Sequence, residues 1–161
     1  MILRGVFMKK VVIILSVCAV VALAVVGVLL YDRSAAKKHF TKCKEQFTRF
    51  TMVKTVTDEV DSYRCTVKLS TEEWKSLREE LVASGWWGSK LDEARKKEYA
   101  EHTSIFFSAE ESEGLTEVMH MHDDQDFLLL GRYYEKNLYI VEGTAEVLLG
   151  VELYMHPGNV K

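Results

Sequence analysis

From its N-terminus the chain passes three basic residues, Arg4, Lys9 and Lys10, and then 20 consecutive positions, Val11 to Leu30, that carry no charge. Only Ser16 and Gly27 in that run fall outside the hydrophobic set. At about 1.5 Å per residue, a helix of this length spans about 30 Å, the hydrocarbon thickness of a bilayer. A core helix of a soluble domain would show a polar face, and this run has none. Residues 11–31 are therefore predicted to form a signal-anchor transmembrane helix behind a basic tail at 1–10. Ala22-Leu23-Ala24 has the small-x-small spacing that signal peptidase reads, so the alternative is a secreted or periplasmic product after cleavage. Val25 to Leu30 carry the apolar run past that site and favour a retained anchor.

Beyond the run the pattern becomes amphipathic. Ala36, Phe40, Cys43, Phe47 and Phe50 recur at alternating spacings of four and three, which places them on one stripe of a juxtamembrane helix over 32–50. The domain's own sheet is the expected cover for that stripe, and a second copy in a short coiled coil is the alternative. Thr51 to Thr57 and Ser62 to Leu69 read as a hairpin, with Tyr63, Cys65, Val67 and Leu69 alternating onto one face. A helix follows: Ser70 and Glu73 form a capping-box pattern, Trp74, Leu77, Leu81 and Val82 keep helical spacing, and Gly85 stops it. A more polar helix is predicted from Ser89 to about Glu101.

The period then changes to two. Thr103 to Ser108, Leu115 to Met121, Phe127 to Tyr134, Leu138 to Glu142 and Thr144 to Met155 are predicted strands. Glu135-Lys136-Asn137 reads as a tight connection and Gly143 as a turn or bulge, so the strands should form an antiparallel meander. The expected fold is α+β: one transmembrane helix, then a domain over 51–161 with two or three helices packed on a mostly antiparallel sheet.

Composition and charge refine this picture. The 161 residues hold 21 basic and 24 acidic side chains, but the N-terminal run is uncharged and the balance beyond it is uneven. Residues 32–54 carry seven basic and two acidic side chains, whereas residues 98–131 carry nine acidic ones and neither Lys nor Arg. The basic segment lies beside the bilayer, where phospholipid headgroups are its natural neighbours. The short basic start feeding the apolar core resembles a bacterial export signal, which puts the N-terminus in the cytoplasm and the domain outside it in the envelope. The basic residues after the run oppose that orientation on a positive-inside count. With Cys18 in the span, Cys43 and Cys65 remain as an even pair able to close a disulfide in an oxidising compartment.

Candidate chemistry is sparse. His120 and His122 alternate along a predicted strand and so point the same way, with Asp124 and Asp126 close behind. Imidazole nitrogens with carboxylate oxygens suit a divalent metal such as zinc, nickel or copper, with His102 and His156 as more distant donors. The same pair among carboxylates suits a pH sensor. Gly114, His120 and His122 resemble the start of the first cupin motif, which would imply a small metalloenzyme, but the second cupin histidine motif is absent. His120-x-His122-x-Asp124 resembles the metallo-β-lactamase opening, yet Gln125 replaces the next histidine.

Trp86 and Trp87, within Gly85-Trp86-Trp87-Gly88, are candidates for contact with a partner or the membrane interface. There is no nucleophile elbow, phosphate-binding loop or paired C-x-x-C, and net charge opposes nucleic-acid binding. The expectation is a bitopic envelope protein without enzymatic activity, whose domain is a protein- or ligand-interaction module. A metal-binding or pH-sensing domain using His120 and His122 is the alternative.

Overall fold

The computed structural model describes residues 2–123 and 133–156 of the chain. Helix α1 (Ile2–Thr48) is one unbroken element of 47 residues, about 70 Å long at the standard rise. Neither glycine nor proline occurs between Val28 and Thr48, so nothing in the sequence kinks the helix where its character changes. Its apolar half lies free of the other described residues, with none of its most hydrophobic 18 residues buried. Its second half buries Ala36, Phe40, Cys43 and Phe47, the predicted stripe, against the chain's own sheet, with Phe50 partly buried at the edge.

Strands β1 (Thr51–Asp58) and β2 (Ser62–Ser70) form the predicted hairpin, closed by the Glu59 amide donating to the Ser62 carbonyl at 2.9 Å. Helix α2 (Thr71–Ala83) starts at the expected capping box. The Glu73 amide donates to Ser70 Oγ at 3.2 Å, and the Ser70 amide donates to the Glu73 carboxylate at 2.7 Å. Trp74, Leu77 and Leu81 enter the core, but Val82 faces solvent, one position beyond the buried arc. Gly85, at φ 96°, supplies the left-handed residue that turns the chain out of the helix. Replacing Ser70 by Ala is expected to lower the unfolding free energy by about 1 kcal/mol, read as a lower urea midpoint at unchanged m.

The chain continues through β3 (Trp87–Lys90), α3 (Glu93–Thr103), α4 (Ala109–Glu113), β4 (Leu115–Asp123), β5 (Tyr133–Glu142) and β6 (Glu146–His156). These strands complete a six-stranded antiparallel sheet in the order β1-β2-β6-β5-β4-β3. One face carries α1, α2 and the main core. Tyr63, Cys65, Val67 and Leu69 of β2 lie there with Val147, Leu149, Val151, Leu153 and Met155 of β6. The other face is covered at one end by α3 and α4. There Phe106 and Phe107 pack with Leu115, Val118 and Tyr139. Phe106 comes so near β6 that a side chain at Gly150 would meet its ring at 2.8 Å.

Three expectations are corrected. Ser89 belongs to β3, and the polar helix begins later, behind Asp92, whose carboxylate accepts from the Arg95 amide at 2.9 Å. Residues 103–108 are not a strand: Thr103 Oγ1 donates back into α3, and the Phe106 and Phe107 amides bond to the Thr103 carbonyl, so the apolar run is a buried corner. Glu135-Lys136-Asn137 is not a connection but the middle of β5, because each of these polar side chains finds partners on neighbouring strands. Of the predicted strand from Phe127 to Tyr134, only Tyr133 and Tyr134 lie within the described residues.

Candidate functional site

Register explains what gathers on the second face of the sheet. Trp87 of β3 stands opposite His120 of β4, His120 opposite Asn137 of β5, Asn137 opposite Glu152 of β6, and Glu152 opposite Arg64 of β2. Cross-strand partners share a face, so one row of side chains crosses five strands. The next row brings His122, Glu135 and Tyr154 together, and beyond it Tyr133 stands opposite His156. His120 and His122 do point the same way, as the period of two requires.

Four members of the first row, Arg64, Glu152, Asn137 and His120, are joined by hydrogen bonds. Glu152 is buried and receives Arg64 Nε on Oε1 at 2.8 Å, and on Oε2 the Tyr139 hydroxyl at 3.1 Å and Asn137 Nδ2 at 3.4 Å. His102, reaching down from α3, stands 3.4 Å from the same Oε2. Asn137 Oδ1 lies 2.7 Å from His120 Nδ1, so it accepts when that nitrogen carries the proton. Burial would raise the Glu152 carboxyl, but the Arg64 and Asn137 hydrogen bonds outweigh it and hold the group below the usual carboxylate range. Burial and the adjacent Glu152 keep the Tyr139 phenol protonated far above its ordinary range.

The outer rows are paved with rings. Tyr133 stacks on His156 with centroids 4.3 Å apart, Tyr154 meets His156 edge-on at 4.5 Å, and His122 lies over Tyr133 at 5.9 Å. Glu135 Oε2 sits 2.9 Å from His156 Nε2, and this hydrogen bond holds the Glu135 carboxyl below its usual range. Among the described residues no helix covers this end of the face. Trp87, 55% exposed, extends the ring surface on the β3 side. Trp86, pointing the other way, is a core residue packed edge-on against Phe47 at 6.2 Å, which leaves Trp87 as the member of the pair open to contact.

His102 and His156 join His120 and His122 on this face, yet no group of three or more His, Cys, Asp or Glu has the geometry of a metal site among the described residues. Asp124 and Asp126 lie outside the described residues.

A second cluster sits on the opposite face, under α1. His39 Nε2 is 3.1 Å from Asp123 Oδ2, Lys136 Nζ donates to the same oxygen at 3.1 Å, and Cys43 Sγ is 3.6 Å from His39 Nε2. This is not a nucleophile's relay, because thiol and carboxylate meet the same imidazole nitrogen. Burial pushes the Cys43 thiol up, and burial together with Lys136 holds His39 below the usual imidazole range despite Asp123. Cys65, on β2, is also a free buried thiol, pushed up to about 11 by burial. Lys136 is only 4% exposed, and nothing local in the sequence marked it.

The His39 arrangement has a pH consequence. A histidine whose folded pKa is depressed loses stability as pH falls from its unfolded value of about 6.5, because the unfolded chain takes the proton first. Glu135 and Glu152, also depressed, lose theirs only below about pH 4.3. Thermal midpoints are expected to fall between pH 7 and 5, and His39→Gln is expected to flatten that segment while leaving the acid limb below pH 4.3.

No protein-family model, no curated protein and no solved structure matches this chain. Fold and site define it as an α+β domain built onto the end of a long apolar helix.

Proposed function

We propose that the protein is a single-pass membrane protein whose extracytoplasmic domain binds a protein partner through the end of its second sheet face that no described helix covers. The observation that carries this reading is the ring surface itself: Trp87, His122, Tyr133, Tyr154 and His156 pave one side of the sheet where no described helix lies over it. Tyrosine and tryptophan are enriched at interfaces because they present large, stiff contact areas with a polar tip. Beside the rings, on the same face, the Glu152 network fixes the strands' side chains before any partner arrives.

The apolar half of α1 supplies the address. It is long enough to cross a bilayer, and its side chains have no other cover among the described residues. The short basic start favours a cytoplasmic N-terminus and an extracytoplasmic domain. A reporter active only outside the cytoplasm, fused after Lys161, is expected to be active, and activity of a cytoplasm-only reporter would reverse the orientation.

A photoreactive residue at Trp87 or Tyr133 is expected to give a discrete adduct in cells, and the same residue at Lys75, on the exposed side of α2, is expected to give none. Equal yields from all three positions, or no adduct from any, would overturn the binding face. A second reading, binding tuned by pH, is favoured by the His156–Glu135 and His102–Glu152 pairs, which become ion pairs only when the imidazoles are protonated.

A further inference from the structure

Where the apolar half of α1 gives way to its docked half, a cleft of about 490 Å³ opens between the helix and the β1–β2 turn. Leu29, Arg33 and Lys37 line it from the helix, Glu59, Val60 and Asp61 from the turn, and Met155 closes it from β6. Its charges are unusual in being left over. Two turns beyond Lys37 on α1, Lys44 closes onto both Asp58 oxygens at 2.6 Å. By contrast, Arg33 and Lys37 make no ion pair with Glu59 or Asp61, and none of the four has a side-chain partner among the described residues. Two cations on one wall therefore face two carboxylates on the other across an open gap.

The helix fixes where this gap lies. Because α1 runs through without a break, Arg33 and Lys37 stand roughly 5 and 10 Å beyond Leu30, the last residue of the uncharged run. Headgroups occupy about the first 5–8 Å outside the hydrocarbon, and long basic side chains reach back toward it. Leu29 and Val60, the latter 55% exposed at the tip of the turn, give the cleft an apolar lower lip.

We propose that this cleft binds the headgroup of a zwitterionic phospholipid bearing a primary ammonium, such as phosphatidylethanolamine. Arg33 and Lys37 take the phosphate, and Glu59 and Asp61 take the ammonium. A primary ammonium donates hydrogen bonds to carboxylates, whereas a choline headgroup has no N–H to donate and a glycerol headgroup has no positive charge. The site thus selects for both charges together. The proposal rests on the reading of α1 as a membrane anchor.

The test uses the full chain. Flotation with phosphatidylcholine vesicles first checks insertion: a chain that does not float ends the anchor reading and this proposal with it. The inserted chain, extracted and titrated with phosphatidylethanolamine, phosphatidylcholine or phosphatidylglycerol, is then read by native mass spectrometry. About tenfold preference for phosphatidylethanolamine over both others is expected. Arg33→Gln/Lys37→Gln is expected to abolish retention, and Glu59→Gln/Asp61→Asn to remove the preference over phosphatidylglycerol. All four side chains are exposed, so circular dichroism should be unchanged. A floating chain without headgroup preference, or one that prefers phosphatidylglycerol and ignores the carboxylate substitutions, overturns the site and leaves the anchor standing.

Discussion

A fragment lacking residues 1–30 is expected to fold, and a fragment lacking residues 1–50 is expected not to. Both lose the apolar half of α1, but only the second loses Ala36, Phe40, Cys43 and Phe47, which cover the main face of the sheet. Full burial of a large apolar side chain contributes about 1.5–3 kcal/mol, so losing the stripe removes an amount comparable to the 5–15 kcal/mol by which a domain is stable at all. Tyr134 would lose its hydroxyl's acceptor as well, the Ala36 carbonyl at 2.6 Å. Single substitution scales accordingly: Phe47→Ala, at a position 0% exposed and packed against Trp86, is expected to cost about 3–5 kcal/mol. Urea denaturation of the 31–161 fragment and its Phe47→Ala variant measures this. A cooperative transition in the 51–161 fragment would show that α1 is dispensable to the core.

The second large effect is expected at the buried ion pair that pins α2 to the sheet. Glu117 on β4 is 1% exposed and receives Arg78 Nη2 from α2 at 2.7 Å. Among the described residues, its other oxygen has only the Lys90 ammonium, at 3.8 Å, and no hydrogen bond. Gly88 on β3 makes room for the carboxylate, since a Cβ there would collide with it. Removing one partner of a buried pair strands the other charge, at a cost of about 3–5 kcal/mol, while removing both charges is far milder. Arg78 is partly exposed and Lys90 stays nearby, so Arg78→Ala is expected near the lower end of that range. Adding Glu117→Gln is expected to recover at least half of the loss. A double variant no more stable than Arg78→Ala alone would show that the guanidinium acts by packing rather than by charge.

What the sequence made legible follows from how local each cause is. Helix α2 could be read because its start, stripe and stop all lie within 16 residues, from Ser70 to Gly85. The docked half of α1 could be read because Ala36, Phe40, Cys43 and Phe47 hold one helical stripe, while Phe50, the fifth predicted position, lies just past the helix end. The middle of β5 looked like a turn because Glu135, Lys136 and Asn137 are polar, and the residues that satisfy them, His156, Asp123, His120 and Glu152, lie on other strands. Helix α4 did leave a signal, the capping box of Ser108 and Glu111, but its five residues are too few to show a period. At the candidate site, alternation placed His120 and His122 on one face. That Trp87 completes the row could not be read, because β3 is four residues long and its pairing with β4 is set by the whole sheet.

The central claim is that α1 carries its direction without interruption from the apolar run into the domain's core, so that the domain holds one orientation relative to the apolar half of the helix. Spin labels at Val20, exposed in the apolar half, and at Val82, exposed on α2, report on this directly in lipid nanodiscs, in a Cys18→Ser background that leaves only the two buried thiols. The expected result is one narrow distance distribution, no broader than that of a pair within the domain at Val60 and Val82. A broad distribution for the Val20–Val82 pair beside a narrow one for the Val60–Val82 pair would place a hinge in α1 and contradict the account.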